Sequence, residues 1–508
     1  MTGETGLGWL VLVVVALPAA GALLLAGLPA GIRRLAPALG TIVAGLTFLA
    51  SLGLLTGRHG PRDGQVVDPW HAVDLPWIPQ LGVRLHLGVD GISAPLVVLT
   101  TLLVLLCAVY TLWTRPVGGS VRTLYALMLT IEVGIVGTFL ALDLVVFFVA
   151  FEITLLPMYA LIAGWGGPDR RHAAMKFVLY TLAGSVLLLV GVLLVAIPAG
   201  TDVVALSQQG AGLSRSAQLT AFIVLALAFA VKSPLWPLHT WLPDAHTEAP
   251  TVGSVLLAGV LLKMGTYGFI RIAVPLLPEG ARALSPALAV LATAAILVGA
   301  LCCLTQRELK RLVAYSSVGH MGFVLLGVAT LTATGIQAAL IGNVAHGIVT
   351  GLLFFLAGAI KDRYGTGLLA ELGGLGQRAP VLAGLLGFIA VASLGLPGLA
   401  GFWGELFAIV ATWQRSNGGA DTLWVVCAVL AAIGGALAAA YFLRMLRIIV
   451  NGEPGEVVVR AGPLPVRPGE WLSWGPLAAL TLVLGLVPAL VLDLGVEPVK
   501  ALVAVVST

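Results

Sequence analysis

The chain has 508 residues, of which 59% are hydrophobic and only 10% are Asp, Glu, Lys or Arg, and its formal net charge is +4 at pH 7. Soluble domains carry about a quarter of charged residues, so this composition excludes an ordinary soluble protein. No long basic block, nucleotide-binding glycine motif or Cys/His cluster is present, so nucleic-acid, nucleotide and metal sites are not indicated.

Apolar runs of membrane-spanning length recur along the chain and predict an all-α polytopic membrane protein with about fourteen spans. The first run is interpreted as a retained helix, because no basic segment precedes it as in a secretory signal peptide. The proline-containing segment 58–90 is predicted to be an external loop with little helix. The predicted spans lie near 7–29, 36–57, 91–114, 121–141, 143–166, 174–198, 217–241, 250–273, 284–304, 309–330, 335–360, 380–412, 421–449 and 471–493.

The lysine and arginine residues are distributed unevenly between alternating loops. Most of the 27 basic residues fall in one set of loops, which includes Arg33, Arg170 and Arg311. By the positive-inside rule this set is cytoplasmic. An even number of spans then predicts that both termini lie outside.

Two of the predicted spans combine a helix-breaking motif with an ionisable residue. Span seven has Lys232 beside Pro234, and span twelve has Glu405 after the glycine-rich segment 395–401. Proline removes a backbone hydrogen bond and clashes with the preceding turn, so a break is expected there. Two broken spans in corresponding positions of two halves are typical of inverted repeats.

Ionisable side chains deep in apolar spans are the strongest functional signal in the chain. An ionised group near the bilayer centre costs roughly 2.5–3.5 kcal/mol on insertion scales, so such residues are usually functional. A buried lysine readily changes its protonation state, and a nearby carboxylate opposes that change, so a Glu–Lys pair could switch proton transfer. The alternatives are a lysine that snorkels to the interface and a static ion pair. The four residues are Glu152, Lys232, Lys263 and Glu405.

Histidine has the pKa best suited to proton transfer near neutral pH. His320 and His346 fall at similar depth in adjacent predicted spans and are candidates for a proton relay, although a lone buried histidine is more often a core residue. Further possible support comes from residues whose alternatives are helix capping, helix-end hydrogen bonding or a stray buried acid. These are Glu132, Asp143, His239 and His246.

Three segments are similar to the motifs of one family. They are KSPLWPLHTWLPDAHTEAP at 232–250, FEITLLPMY at 151–159 and KRLVAYSSVGHMG at 310–322. They resemble the antiporter-like subunits of respiratory complex I, the bacterial proton-pumping NADH–quinone oxidoreductase, and the match covers nearly the whole chain. Glu405, where several relatives carry lysine, is similar to the M-type branch of that family.

The resemblance implies fourteen transmembrane helices with two inverted five-helix repeats and discontinuous helices at spans seven and twelve. Glu152 with Lys232 would form a modulating pair, and Lys263, His320 and His346 would form a central hydrophilic axis. Glu405 would face the exit side or the neighbouring subunit. Glu132 has no counterpart in the motifs. The implied division is N-terminal helices and external loop at 1–118, a first repeat at 119–273, a second repeat at 284–450, and a cytoplasmic loop with a C-terminal helix at 451–508.

The resemblance further implies that the chain is a proton-translocating subunit without redox catalysis of its own. NADH, FMN, iron–sulfur clusters and quinone would bind to other subunits, and this chain would hold no cofactor or metal. Its partners would be L- and N-type chains, small membrane subunits and lipid, with no nucleic acid, in the bacterial plasma (inner) membrane. Two other functions stay open: a subunit of a multi-subunit cation/proton antiporter, and a purely structural membrane scaffold.

Overall fold

The chain folds into a bundle of long apolar helices with one short β-hairpin. The structure is a computed structural model, which describes residues 7–59, 65–209, 212–462 and 465–507. Residues 60–64 of the predicted external loop lie outside the described residues. Residues 1–6 and 508 also lie outside the described residues. The prediction that both termini are external concerns these residues.

The helices occur in the regions that hydropathy predicts. The first part of the chain forms α1 (Trp9–Gly27), a 3₁₀ helix (Ala30–Leu35), α2 (Ala36–Gly53), α3 (Ala94–Trp113), α4 (Val121–Leu140), α5 (Leu144–Ile153), α6 (Leu155–Trp165), α7 (Arg170–Ala199), α8 (Val203–Gln209), α9 (Arg215–Lys232) and α10 (Trp241–Glu248). The second part forms α11 (Thr251–Leu256), α12 (Leu262–Gly268), α13 (Val274–Leu276), α14 (Pro278–Thr305), α15 (Leu309–Ala329), α16 (Ala333–Tyr364), α17 (Leu375–Arg378), α18 (Pro380–Ser393), α19 (Ala400–Arg415), α20 (Thr422–Ile449), α21 (Glu456–Ala461), α22 (Pro468–Leu486) and α23 (Ala489–Ser507).

The polytopic all-α fold is confirmed, whereas the predicted count of about fourteen spans is not. Within the described ranges, twelve helical stretches are long and apolar enough to cross a membrane, or thirteen if the bent pair of α22 and α23 is one span. The predicted break in span twelve leaves α18 with 14 residues and α19 with 16, so neither is long enough alone. Span seven is also broken as predicted, between α9 and α10.

The end of the chain differs from the prediction of a single span at 471–493. Helix α22 ends at Leu486, and α23 continues to Ser507 at an angle of 61° to α22. Two residues lie between them, and the first, Val487, has a non-helical backbone (φ −130°, ψ 68°). It precedes Pro488, and a proline ring disfavours the helical conformation of the residue before it.

The predicted external loop contains a β-hairpin that hydropathy did not indicate. Strands β1 (His71–Ile78) and β2 (Val83–Val89) pair antiparallel, with His71 opposite Val89, and a short 3₁₀ turn at Pro79–Leu81 joins them. The hairpin contacts the residues that precede α5 and α8. The backbone N–H of Leu142 donates to the carbonyl of His86, and the His86 imidazole lies 3.0 Å from the Asp202 carboxylate.

The His86–Asp202 contact predicts that the hairpin loosens in acid. Burial raises the pKa of Asp202, but hydrogen bonds from His86 and the Ala205 N–H lower it more, so the net pKa lies below its usual value. The stabilisation is therefore present above the unfolded-state pKa and is lost as the pH falls through the folded-state pKa, below about pH 4. We expect amide hydrogen exchange in β2 to accelerate there, relative to helix amides and beyond the intrinsic pH effect. An Asp202→Asn variant showing the same acceleration would contradict this assignment.

Candidate functional site

Lys263 occupies the middle of a fully buried span, Thr251–Leu276. Helix α12, which carries it, is flanked by π-helical turns at Leu257–Leu261 and Phe269–Ala273. Such turns break the regular hydrogen-bond ladder and are frequent at functional sites. Here the first turn presents the Ala258 carbonyl, which accepts a hydrogen bond from the Lys263 Nζ. The ammonium is thus held inside the protein, which excludes the snorkelling alternative for this residue.

Lys263 contacts His346 of α16 directly. The Lys263 Nζ lies 2.6 Å from the His346 Nδ1, and the Thr266 hydroxyl, one turn further on, donates to the Asn343 Oδ1 at 2.9 Å. Two contacts one turn apart fix the register of α12 against α16. Since an ammonium can only donate, the His346 Nδ1 accepts and its proton resides on Nε2. That Nε2 is buried and has no hydrogen-bond partner.

A small cavity of about 30 Å³ lies beyond His346. His320, His346, Ser393 and Glu405 contribute polar groups to its wall. The His320 and His346 ring centroids are 5.8 Å apart, too far for a direct hydrogen bond between the rings. A water molecule needs two to four polar partners in a cavity of this size, and these four residues provide them.

His320 of α15 is hydrogen-bonded to Glu405 of α19. Its Nδ1 lies 2.8 Å from the Glu405 Oε1, and its Nε2 lies 3.1 Å from the Ser393 hydroxyl at the end of α18. Both partners flank the break in span twelve. A Cβ on Gly395, which has a φ of +80°, would lie 3.0 Å from the Glu405 Oε2. The break therefore needs glycine both for its left-handed backbone and for space beside the carboxylate.

Lys232 lies at the C-terminal end of α9, where Ser233 follows and the chain leaves the helix. The Lys232 Nζ is 3.3 Å from the Thr154 hydroxyl and 4.7 Å from the centroid of the Phe151 ring. A Cβ on Gly265 of α12 would lie 2.9 Å from the Ser233 hydroxyl oxygen. The broken end of α9 thus packs on α12 two residues from Lys263.

The predicted Glu152–Lys232 pair is not an ion pair in this structure. Within the described residues Lys232 forms no salt bridge, because its ammonium faces Phe151 and Thr154, which lie on either side of Glu152 in the chain. One carboxylate oxygen of Glu152 is buried without a hydrogen-bond partner. The Glu152 carboxylate and the Lys232 ammonium are close to each other, but they form no salt bridge in the described structure.

Two of the possible support residues are His246, in α10, and His239, just before that helix. The His246 side chain is fully buried, neither ring nitrogen has a partner, and the ring stacks on Phe354 with centroids 4.3 Å apart. The His239 ring lies 6.2 Å from that of Tyr315, and its Nδ1 is unpartnered. The two unpartnered nitrogens of His246 do not fit the alternative of ring hydrogen bonding at a helix end, whereas His239 does interact with the backbone of Pro237.

The two acidic support residues differ in kind. Asp143 is the N-cap of α5, as its alternative predicted, and accepts bonds from the N–H groups of Val145 and Val146. The Thr201 hydroxyl also donates to it at 2.6 Å. Glu132 of α4 is fully buried, and neither carboxylate oxygen has a partner. Asp143 therefore caps a helix, whereas the carboxylate of Glu132 makes no hydrogen bond with the described residues.

Sequence reasoning missed one buried ion pair. Arg271, two turns after Lys263 in the same buried span, donates from Nη2 to both oxygens of Asp90 at 2.6 Å. The prediction from sequence did not single out Arg271 as a buried charge. Its position eight residues after Lys263 in one apolar run was the available signal. No group of three or more His, Cys, Asp or Glu that could hold a metal occurs in the described part of the chain.

Comparisons with known proteins agree on one family. Residues 141–434 match the family described as NADH:quinone oxidoreductase/Mrp antiporter, TM. The chain is 40% identical to NADH-quinone oxidoreductase subunit M of Rhodobacter capsulatus, over 88% of this chain and 86% of that relative.

Solved structures give the same picture. A chain of respiratory complex I from Thermus thermophilus with bound NADH superposes with a TM-score of 0.84 at 34% identity, covering 97% of this chain and 99% of the other. A chain of the Mrp complex from a Dietzia species also gives a TM-score of 0.84, at 24% identity, covering 99% and 100% of the two chains. That second likeness shows the fold alone.

Proposed function

Since the chain belongs to the NADH:quinone oxidoreductase/Mrp antiporter family, we propose that it is an M-type, proton-translocating membrane subunit of an NADH–quinone oxidoreductase. The observation that carries the proposal is the continuous series of titratable groups from Lys263 through His346 and the cavity to His320 and Glu405. Titratable groups at membrane depth that face one another inside a protein are typical of proton relays.

The geometry supports a stepwise transfer. The Lys263 ammonium passes a proton to the His346 Nδ1, and the proton on Nε2 leaves for a water in the cavity. That water or the Ser393 hydroxyl protonates the His320 Nε2, and the His320 Nδ1 gives its proton to the Glu405 carboxylate. One proton moves, no bond between heavy atoms changes, and Lys263 is left neutral.

Lys232 and Glu152 act as a switch in this proposal. A cation at Lys232 opposes a second buried cation at Lys263, because like charges in a poorly screened interior repel. Approach of the Glu152 carboxylate would neutralise Lys232 electrostatically and allow Lys263 to take up a proton. The arrangement with Lys232 on Thr154 and Phe151 corresponds to the separated setting.

The remaining parts of the proposal concern the assembly. The redox chemistry, with NADH, FMN, iron–sulfur clusters and quinone, takes place in other subunits, and this chain contributes proton transfer only. Its neighbours are L- and N-type chains and small subunits in a bacterial plasma membrane, with both termini outside. Support comes from the multi-subunit nature of the matched structures and from the distribution of basic loop residues.

Exchange of Lys232 for methionine tests the proposal. We expect NADH-driven proton uptake by inside-out vesicles to fall severalfold, because the switch loses its cation, while the complex still assembles. Lys500→Met is the matched control, since Lys500 is an exposed residue of α23 paired with Glu497 and should leave uptake unchanged. Undiminished proton uptake in Lys232→Met would contradict the role.

An affinity tag on the chain distinguishes the family's two activities. We expect the purified assembly to reduce quinone with NADH. In proteoliposomes we expect it to acidify the side of the membrane opposite to the one on which NADH is oxidised. Proton movement that needs a sodium gradient but no NADH would instead identify a cation/proton antiporter subunit. A scaffold role predicts normal pumping after the deep charges are neutralised.

A further inference from the structure

The buried span that carries Lys263 meets α16 in a row of three contacts. Before the lysine, a Cβ on Gly347 would lie 2.7 Å from the Gly259 carbonyl oxygen, so the close approach of the two backbones requires glycine there. After the lysine, the Thr266 hydroxyl meets the Asn343 side chain. The proposed transfer from the lysine to its histidine therefore takes place between a backbone contact and a side-chain hydrogen bond.

The backbone contact alone does not fix the orientation of Lys263. Helix α12 has seven residues and is flanked by the π-helical turns at Leu257–Leu261 and Phe269–Ala273, where the regular hydrogen-bond ladder is interrupted. A glycine–glycine contact sets the distance between two helices but has no hydrogen-bond geometry. The lysine side chain has a flexible four-carbon stem, and the donors of its ammonium can point in several directions. A directional contact close to Lys263 is therefore what can hold the ammonium at the His346 Nδ1.

The Thr266 hydroxyl provides this directional contact. It lies 2.9 Å from the Asn343 Oδ1 and 3.1 Å from the Lys263 carbonyl oxygen, so one hydroxyl connects the backbone of the lysine to α16. Hydrogen bonds weaken steeply when their geometry departs from linear. Asn343 lies three residues before His346 in the same helix, and residues three apart share a helix face. The contact thus fixes the lysine backbone relative to the face of α16 that carries the histidine.

Packing and stability do not explain why Asn343 is polar. Its side chain is fully buried, and its Nδ2 has no hydrogen-bond partner among the described residues. A buried donor without a partner is costly, whereas two apolar side chains of the same shape can replace a hydrogen-bonded pair at almost no cost. The contact between Gly259 and Gly347 already brings the two helices together. A polar pair at this position therefore indicates a role in the geometry of the neighbouring lysine and histidine.

We infer that Thr266 and Asn343 are the positioning pair of the relay, whose hydrogen bond holds the Lys263 ammonium at the His346 Nδ1, an inference that rests on the proposed function. Neither residue of the pair takes up or releases a proton. The pair acts only through the separation of the two nitrogen atoms that exchange the proton, which is 2.6 Å. Proton transfer needs a donor and an acceptor within hydrogen-bond reach, so a displaced ammonium transfers its proton more slowly.

The double variant Thr266→Val/Asn343→Leu separates positioning from stability. Thr266→Val alone leaves the Asn343 amide buried without its partner and should lower the thermal midpoint of the complex. The double variant removes both polar groups with little change of shape and should regain that midpoint. We expect NADH-driven proton uptake per assembled complex to fall about tenfold in both variants, because misplacing a reacting group by about 1 Å can cost about a hundredfold in rate.

Rescue by a conservative change provides a second readout. Thr266→Ser keeps the hydroxyl that reaches Asn343 and should restore most of the uptake that Thr266→Val loses. The matched control is Thr481→Val in α22. Thr481 is fully buried, and among the described residues its hydroxyl donates only to the Leu477 carbonyl of its own helix, so uptake should stay normal in this variant.

Two results would overturn the inference. Pumping that recovers together with the thermal midpoint in the double variant would assign the pair a structural role only. Equal defects in Thr266→Ser and Thr266→Val would show that the hydroxyl does not matter. If Lys263→Met pumps normally, the proposed function itself fails. If Lys263→Met loses pumping but Thr266→Val and the double variant pump normally, only the positioning pair fails.

Discussion

Replacing Lys263 with methionine is expected to lower NADH-driven proton pumping about tenfold to a hundredfold, the range by which a positioned proton carrier contributes. The Lys263 Nζ lies 2.6 Å from the His346 Nδ1, and in the proposed relay it gives its proton to His346. Methionine has a similar length and no charge, and removing a buried cation without an ion-pair partner does not itself leave a buried counter-charge. The chain should therefore fold and assemble.

The measurement is proton uptake by inside-out vesicles at matched amounts of assembled complex, with quinone reduction followed in parallel. Lys263→Arg is the matched variant: it retains the cation but cannot release a proton, so it should pump as poorly as methionine. Pumping within about twofold of wild type in either variant would remove Lys263 from the relay.

Breaking the Arg271–Asp90 pair is expected to destabilise the folded chain by about 3–5 kcal/mol, because the remaining charge would be buried without a partner. Both side chains are almost fully buried. The pair also anchors its surroundings. The Arg271 Nε donates to the Tyr267 hydroxyl at 3.0 Å, and Asp90 accepts from the N–H groups of Ile92 and Ser93 before α3.

The effect is measured as the thermal midpoint of the purified complex and the amount of chain assembled in membranes, for Arg271→Met alone and for the double variant Arg271→Met/Asp90→Leu. The double variant should regain part of the loss, since two apolar residues leave no unpaired charge. Complex that does assemble should pump normally, because neither residue belongs to the relay. A single variant as stable as wild type would show that the pair contributes little.

The buried cations Lys263 and Arg271 differ in whether their partners fix the protonation state of the side chain. Arg271 has its donors matched by a carboxylate and a hydroxyl, so its protonation state is fixed and its contribution is structural. Among the described residues, the Lys263 Nζ is bound only by the Ala258 carbonyl and the His346 imidazole. Neither partner fixes the charge on Lys263, which fits the proposed role of this lysine in proton exchange.

Hydropathy, proline and glycine positions by themselves determined that the chain is an all-α membrane protein, where most helices lie, and that spans seven and twelve break. These signals act within a single span, because a helix needs a continuous apolar stretch and a proline disrupts its own turn. The deep charges were equally visible, since an ionisable residue in an apolar run needs no partner to be recognised.

Only the tertiary structure decided which of these groups meet. Lys263 and His346 are 83 residues apart and His320 and Glu405 are 85 apart, so their contacts depend on how helices rotate and pack. The same packing directs Lys232 onto Phe151 and Thr154, joins Arg271 to Asp90, and stacks His246 on Phe354. Side-chain direction around a helix axis is set by its neighbours in space, which local sequence patterns do not specify.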